Sequence, residues 1–321
     1  MTIRPVTAAD HDAIHELAGL FAEEEGGLFP PPPRASIAAY LATPRDGTTG
    51  ETLVAEADGR VAGFVRLRLS QRDNRHRTAL HGVVHPGLRR RGLGRALYER
   101  ALAESLALGR TVLTATAGDG GPGEPFLTAM GMERVHAERV SVLDLGREFA
   151  EPTPVPGYDL VHWLDGAAGP VPDSLVADLA DLMGRLSTDA PSGGLAVEPT
   201  AYSPERVIEL SELAASLGQV RISTGARERA TGRLIAVTTL RHDGRSERLM
   251  QLITLVHPEH RGHRLGTVVK LANLEQARSV APDATSVVAT NALANEKIWR
   301  VNEALGFATA GVDGYYQVVA A

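Results

Sequence analysis

Val84 to Gly94 reads VHPGLRRRGLG, and Val256 to Gly266 reads VHPEHRGHRLG. Six of the eleven positions are identical, all at one offset of 172 residues. An apolar, strand-like stretch precedes each copy, Leu80–Val84 or Leu249–Val256. An apolar, helix-like stretch follows, marked by Leu97, Ala101, Leu102 and Leu106 in the first copy and by Val268, Val269 and Leu271 to Leu274 in the second. Farther on, MGM (130–132) and LGF (305–307) lie 37 and 40 residues after Gly94 and Gly266, counted glycine to glycine. Segment, flanks and landmark recur in the same order, so the chain reads as an internal duplication.

The join between the copies is visible as well. Gly146 to Gly157, GREFAEPTPVPG, carries three prolines, which disfavour both helix and central strand. It reads as an extended linker, which gives two domains, 1–151 and 152–321. In the first, a strand at 2–6 leads to helices near 10–24 and 35–42, the latter bracketed by Ser36 and Pro44. Strands at 52–57 and 61–69 then meet at an Asp58-Gly59 hairpin turn. A strand at 78–84, a helix at 92–108, a strand at 111–116 and a short helix near 124–130 complete it. The second half shows helices at 173–186 and 204–217, then strands at 219–225, 232–241 and 248–256. Helix 265–279, strand 285–290, helix 294–304 and a final strand pair follow. Pro204 and Glu205 suit the opening of their helix. Strands and helices mix around one sheet per domain, an α/β (α+β mixed sheet) architecture.

Composition removes several functions from consideration. The 321 residues include no Cys, so there is no disulfide framework, thiolate metal cluster or acyl-cysteine intermediate. No apolar run reaches the roughly 18 residues of a membrane span, and MTIRPVTAADHD lacks a signal-peptide pattern. The expectation is a cytoplasmic protein with no membrane partner. A net charge of -6 argues against nucleic acid as the main partner. Only two basic residues are lysines, Lys270 and Lys297; the others are arginines.

A strand that ends at Val-His-Pro and turns into a helix leaves backbone N–H groups at that helix start without intrahelical partners, where the helix dipole favours negative charge. Glycine in the turn lets a phosphate approach the backbone, and arginine adds charge-assisted contacts. The first copy offers Arg89, Arg90 and Arg91; the second offers Arg261, His263 and Arg264. The pattern is an anion cradle suited to pyrophosphate.

With its flanks, the repeated segment resembles the signature of the GCN5-related N-acetyltransferase (GNAT) superfamily, Val-x-Pro-x-x-Arg/Gln-x-x-Gly-x-Gly/Ala. Val84, Pro86, Arg89, Gly92 and Gly94 match it fully. In the second copy Val256, Pro258, Arg261 and Gly266 match, with Arg264 where the family has Gly. The segment ATNALANEKIWRVNEALGF (289–307) is similar to the family's next element, an Asn-opened helix ending in Gly-Phe. Two such copies in tandem resemble mycothiol synthase and related actinobacterial acetyltransferases. The resemblance implies acetyl-CoA as co-substrate, no metal, and an amine acceptor. It implies that Val83, Val84, Leu255 and Val256 hold the pantetheine arm through their backbones. The pyrophosphate would fall to Arg89, Arg90, Arg91, Gly92, Leu93, Gly94 and Arg95, or to Arg261, Gly262, His263, Arg264, Leu265, Gly266 and Thr267. Asn295 would line the pantetheine channel or cap its helix. Backbone donation at Arg264 requires that it keep helical dihedrals.

Direct transfer needs a neutral amine, a polarised carbonyl and a thiolate that can leave. An alkyl amine of pKa about 10.4 is neutral in only about one molecule in 2,500 at pH 7, so a base matters. Thiolate is a fair leaving group near neutrality, and a strand N–H can polarise the carbonyl. The strand before the first cradle offers His81; its counterpart in the second is Ile253. His85 and His257, at the start of each turn, read as caps or packing groups. The family's proton-donating tyrosine would fall at Leu127 or Asn302, so neither copy keeps it, and Asn302 could orient but not protonate. Loop carboxylates Asp189, Glu198 and Glu247 are further base candidates. The resemblance favours the second domain as catalytic.

The acidic run Glu23–Glu25 is either a solvated helix end or an attraction for a cationic acceptor, and GGLFPPPP (26–33) is either a polyproline ligand for another protein or a stiff connector between two helices. The acceptor expected is a small-molecule amine: a secondary metabolite, antibiotic or thiol precursor. The rival readings are a non-catalytic acyl-CoA-binding module and a peptide or protein N-acetyltransferase. The chain would be a monomer or homodimer.

Overall fold

Alternate residues along the strands feed two different cores, and the elements arrange around that alternation. The computed structural model describes residues 1–42, 48–186 and 191–320; Pro44 and Asp189 lie outside the described residues. In chain order the strands are β1 (Thr2–Pro5), β2 (Thr48–Ala57), β3 (Arg60–Ser70), β4 (Arg77–Val84), β5 (Val112–Gly118), β6 (Glu133–Asp144), β7 (Tyr158–Gly166), β8 (Val220–Glu228), β9 (Leu234–His242), β10 (Arg248–Val256), β11 (Ser286–Ala292) and β12 (Ala308–Val319). The helices are α1 (His11–Glu24), α2 (Ile37–Ala42), α3 (Leu93–Ala107), α4 (Gly123–Ala129), α5 (Asp173–Gly184), α6 (Pro204–Ser216), α7 (Leu265–Val280) and α8 (Glu296–Leu305).

The chain forms two compact units. Unit 1 takes Met1–Ala137, Gly193–Glu198 and Val312–Ala321; unit 2 takes Glu138–Ser192 and Pro199–Gly311. In unit 1 the strand order is β1-β2-β3-β4-β5-β12, with β4 and β5 parallel. Asp58 and Gly59 both take positive φ, 53° and 74°, as a tight type I′ hairpin turn between β2 and β3 requires. Leu53, Val65, Leu67 and Leu80 pack with Leu93, Leu97 and Ala101 of α3. On the opposite face Val54, Phe64 and Val83 pack with Ile14 and Leu17 of α1 and Ile37 of α2.

Unit 2 repeats the plan with the order β6-β11-β10-β9-β8-β7, β10 and β11 being its parallel pair. Ile222, Leu240 and Leu249 pack with Leu274 and Ala277 of α7. Trp163, Leu234, Val237 and Leu255 pack with Leu175, Leu179 and Val207 of α5 and α6. Ser203 caps α6, accepting from Arg206 N at 3.3 Å, with Pro204 following it.

The last strand of each unit comes from the other half of the sequence. Glu138–Asp144 of β6 pairs antiparallel with Ala292–Ser286 of β11 in unit 2. Asp313–Val319 of β12 pairs antiparallel with Gly118–Val112 of β5 in unit 1. The sequence division at 151/152 and the division of the folded chain therefore differ at both of these strands and at Gly193–Glu198. The stretch 146–157 has neither helix nor strand, as its prolines require. Two strands, β6 and β7, go beyond the elements read from the sequence, and the expected final strand pair is the single strand β12. In β6, ERVHAERVSVLD, charged residues interrupt the alternation over the first half, and only its second half buries Val140 and Leu143.

Separated at residue 151, each half would leave a parallel-pair strand as an open edge, β5 or β11. Fragments 1–151 and 152–321 are expected to be poorly soluble alone and to recover a cooperative melting transition as a 1:1 pair when co-expressed. A soluble, cooperatively melting monomer of either fragment would count against the exchange.

Candidate functional site

In both units the parallel strands begin paired and then separate. β4 and β5 are in register from Arg77↔Val112 to Leu80↔Ala115, after which β4 continues alone to Val84. β10 and β11 are in register from Arg248↔Ser286 to Met250↔Val288, after which β10 continues to Val256. The backbone edges facing each gap therefore lack ladder partners over Val83–Val84 and Leu255–Val256. The second gap opens at a β-bulge: the register of β10 against β9 shifts between Gln251 and Ile253, with Leu252 exposed. The bulge also switches faces. Leu249 packs on the α7 side, whereas Ile253 and Leu255 join the α5–α6 side. No register shift interrupts β4 against β3.

Each strand then enters a short 3₁₀ turn and a helix. The two turns share a backbone built from different residues. Arg90 and Gly262, at equivalent positions, have φ of 64° and 89°; Gly92 and Arg264 have 83° and 60°. Each loop thus has one glycine and one arginine in left-handed conformation, in opposite order. Arg264 does not keep the right-handed helical dihedrals expected of it; it adopts the conformation of the Gly it replaces, at a cost of about 1–2 kcal/mol. At Gly92 and Gly262 nothing lies within 4 Å of where a Cβ would stand, so both are open. Gly94 serves packing instead, since an added Cβ would meet the Phe126 ring at 3.1 Å. Gly266 makes only ordinary contact with Val256, at 3.7 Å.

Leu93, Gly94 and Arg95 open α3, and Leu265 and Gly266 open α7, so their N–H groups have no intrahelical acceptor. Thr267 N is already bonded to Arg264 O at 3.0 Å. The first arginine of each cradle folds back on its strand: Arg89 Nε donates to Val84 O at 3.1 Å and Arg261 Nε to Val256 O at 3.2 Å. Arg89 also makes a two-pronged pair with Glu24, at 2.7 and 2.6 Å. Arg91 lies 3.4 Å from Asp58 and Arg95 3.8 Å from Glu99. Arg264 has no ion pair among the described residues. His263 packs against the Tyr158 ring, 6.1 Å between centroids. His85 caps its turn, accepting from Gly87 N at 3.1 Å, and His257 packs edge-on to His260.

His81 sits on the α1 face of β4, its ring edge-on to Phe21 at 5.4 Å and 6.0 Å from Phe64. Glu25 follows α1 and lies over the end of β5, where a Cβ added at Gly118 would stand 2.6 Å from a Glu25 carboxylate oxygen. Burial, with the charges of Asp313 and Glu24, raises the Glu25 pKa above the ordinary carboxylate value. In unit 2, Asn295 caps α8, accepting from Ile298 N at 3.3 Å. Asn302 is buried and donates to Asn291 Oδ1 at 2.7 Å; its own Oδ1 has no hydrogen-bond partner among the described residues. Leu127 is core. Glu198 lies in unit 1, where it accepts from Asn74 N at 3.2 Å. Glu247 precedes β10, at the end away from the cradle. Among the described residues, one trio could hold a metal: His257, Glu259 and His260, whose candidate atoms lie within 4.8 Å of each other. His260 Nδ1 is already 2.9 Å from the Tyr158 hydroxyl.

The sequence reading passed over Lys270. It points inward from α7, is 3 % exposed, and donates to Gln251 Oε1 at 2.7 Å. Burial lowers its pKa to about 7. A signal was present: it is one of two lysines in the chain and falls within the apolar pattern of its helix.

Residues 14–131 match the profile of the Acetyltransferase (GNAT) family. Among curated proteins none matches. A solved tandem GNAT protein from the clavulanic acid biosynthesis pathway is similar over 100% of this chain and 98% of its own, with 29% identity and a TM-score of 0.81. A GCN5-related N-acetyltransferase from Sphaerobacter thermophilus shares the fold over 99% of this chain and 95% of its own, at 16% identity and a TM-score of 0.71. A putative acetyltransferase from Pyrococcus horikoshii does so over 100% and 89%, at 12% identity and a TM-score of 0.54. No helix among the described residues is long and apolar enough to cross a membrane.

The left-handed turn predicts opposite outcomes at its two equivalent positions. Gly92→Ala is expected to lower unfolding free energy by about 1 kcal/mol, whereas Arg264→Gly should leave it unchanged or raise it by up to about 1 kcal/mol, strain relief being offset by glycine's unfolded-state entropy. Urea melts of both variants decide this; a marked loss in Arg264→Gly would mean that its side chain, not its dihedral, matters most.

Lys270 predicts a pH dependence of stability. Its folded pKa lies below its unfolded value of 10.5, so between about pH 7 and that value the unfolded chain binds more protons. Stability from this group therefore rises with pH across that window, by up to about 1.4 kcal/mol per unit, and is flat below it. Lys270→Met is expected to flatten that rise in denaturant melts between pH 7 and 9.5; parallel curves for the two proteins would contradict it.

Proposed function

We propose that this chain, which carries a GNAT acetyltransferase domain and has the tandem GNAT fold, transfers an acetyl group from acetyl-CoA to the amine of a small molecule, with the chemistry in unit 2. The observation that carries the reading is the gap between β10 and β11, which opens at a bulge and leads into a left-handed turn and a helix start. Leu255 and Val256 offer an unpaired strand edge to the amide groups of a pantetheine arm, and the N–H groups of Leu265 and Gly266 suit its pyrophosphate. Gly262 leaves the approach open, and Arg264 has no carboxylate partner among the described residues to compete with a phosphate. Acetyl-CoA supplies the activated acyl group; the strand N–H groups at the bulge polarise its carbonyl as the neutral amine attacks, the C–S bond breaks, and CoA leaves as a thiolate that takes up the proton the amine gives up. Asn302, buried beside Asn291, orients rather than protonates. The likeness to a tandem GNAT protein of clavulanic acid biosynthesis supports a small-molecule acceptor.

A second reading, favoured by Glu25 above the end of β5 and by His81 on β4, places the chemistry in unit 1. There a carboxylate of raised pKa would take the ammonium proton. The Arg89–Glu24 pair weighs against it, since phosphate must displace a carboxylate to reach Arg89.

Calorimetric titration of acetyl-CoA into the chain separates these readings. One site is expected, weakened at least tenfold by the Arg261→Gln/Arg264→Gln double variant and little changed by Arg89→Gln, with turnover over an amine panel following the same order. A dependence on Arg89 alone would move the chemistry to unit 1, and no binding at millimolar acetyl-CoA would sink both readings.

A further inference from the structure

Equivalent core positions in the two units differ sharply in chemistry. In unit 1, Val65, Leu80, Tyr98 and Ala101 form part of one apolar cluster between β3, β4 and α3. Aligned through the turns, with the one-residue bulge counted, their counterparts in unit 2 are Thr238, Gln251, Lys270 and Asn273. All but Gln251 are at most 3 % exposed. Together with Leu240, Leu274, Leu305 and Phe307 they line a cavity of about 10 Å³. A buried amine is costly, and unit 1 shows that the fold closes with apolar residues at these four places. The polar set needs another reason, and its position supplies one, because Gln251 is the first residue of β10 beyond the last pair with β11.

The hydrogen bonds converge on the bulge. A bulge leaves ladder groups without their regular partners. Here Gln251 Nε2 donates to Ile253 O at 2.9 Å, to Thr239 O at 2.9 Å and to Thr238 Oγ1 at 3.1 Å. Thr238 Oγ1 adds a bond to Ile253 O at 3.1 Å. Lys270 Nζ donates to Gln251 Oε1, which fixes the amide with its nitrogen towards those carbonyls. Asn273 Nδ2 holds Ile222 O and Thr238 O from the same helix. One helix therefore carries both the cradle at its N-terminus and the residue that orients the clamp on the bulge.

We propose that Lys270 is a positioning residue for the reaction of unit 2: through Gln251 it fixes the bulge at Leu252, and with it the strand N–H groups that receive the thioester carbonyl. The inference rests on the reading that unit 2 does the chemistry. Protonation state is secondary to the contact, since a neutral amine still donates to Gln251 Oε1. Burial is the cause of its lowered pKa, and among the described residues no carboxylate, histidine or second cation lines the cavity, whether from β9, β10, α7, α8 or Phe307 ahead of β12.

The test compares Lys270→Met, Gln251→Leu and their double variant with the parent chain. Hydrogen exchange of the segment 249–257 is read alongside kcat and the KM for acetyl-CoA. Each single variant is expected to speed exchange in that segment about tenfold and to lower kcat at least tenfold, with KM changed less than threefold. If both act through one contact, the double variant loses no more than either single one. It also buries no amine, so it is expected to melt no lower than the parent while remaining slow, a combination that a merely structural role would not give. Parent-like exchange and kcat in Lys270→Met, or strictly additive losses, would overturn the proposal. If turnover depends on Arg89 and not on Arg261 and Arg264, the reading of unit 2 fails, and the exchange data still decide whether Lys270 holds the bulge.

Discussion

Two parallel strands that start paired and then part leave backbone donors and acceptors that the sheet cannot satisfy. Most features of each unit follow from that separation. A strand released from its neighbour can end in a turn that aims a helix start at the mouth of the gap, and the helix start presents more unpaired N–H groups. The gap then presents strand donors and acceptors, and the helix start adds a row of N–H donors. An extended chain with amide groups at one end and phosphates at the other has the complementary form. Each unit thus leaves polar backbone unpaired along the gap and at the helix start.

Holding that row open imposes costs that the two units meet differently. Both turns need two residues of positive φ, and each is given one glycine and one arginine, in opposite order. Backbone geometry has been kept while the residues at it changed places, because a left-handed arginine is strained by only about 1–2 kcal/mol. Charge has not been kept in the same way. Arg89, Arg91 and Arg95 all have carboxylates nearby, whereas Arg264 has none among the described residues.

Much of this was legible in the sequence. The repeated Val-His-Pro turn placed strand, turn and helix correctly in both halves, and the hairpin at Asp58-Gly59 has the two positive φ values its sequence implied. The left-handed state of Arg264 was hidden, since arginine gives no local sign of it; only comparison with Gly92 could have suggested it. The exchange of β6 and β12 was hidden for a different reason. Strand pattern tells which face is buried, not which neighbour pairs along the edge. Lys270 was passed over because its place in the apolar pattern of α7 does not name its neighbours, among them its partner Gln251 on the separate strand β10.

Those neighbours also explain why a duplicated fold can keep its shape while its halves diverge in chemistry. An apolar core is tolerant of many substitutions if volume is kept, so unit 1 can close with Val65, Leu80, Tyr98 and Ala101. A polar core is less tolerant, because every member must find a partner. In unit 2 the partners of Gln251 include two carbonyls beside the bulge. Without the bulge the glutamine would lose the carbonyl arrangement that it binds; without the glutamine, Thr239 O would lose a donor and Ile253 O would keep Thr238 Oγ1. On the proposed reading the irregular strand and the buried amine behind it depend on one another, whereas β4 of unit 1 runs against β3 without a register shift and has no such amine behind it.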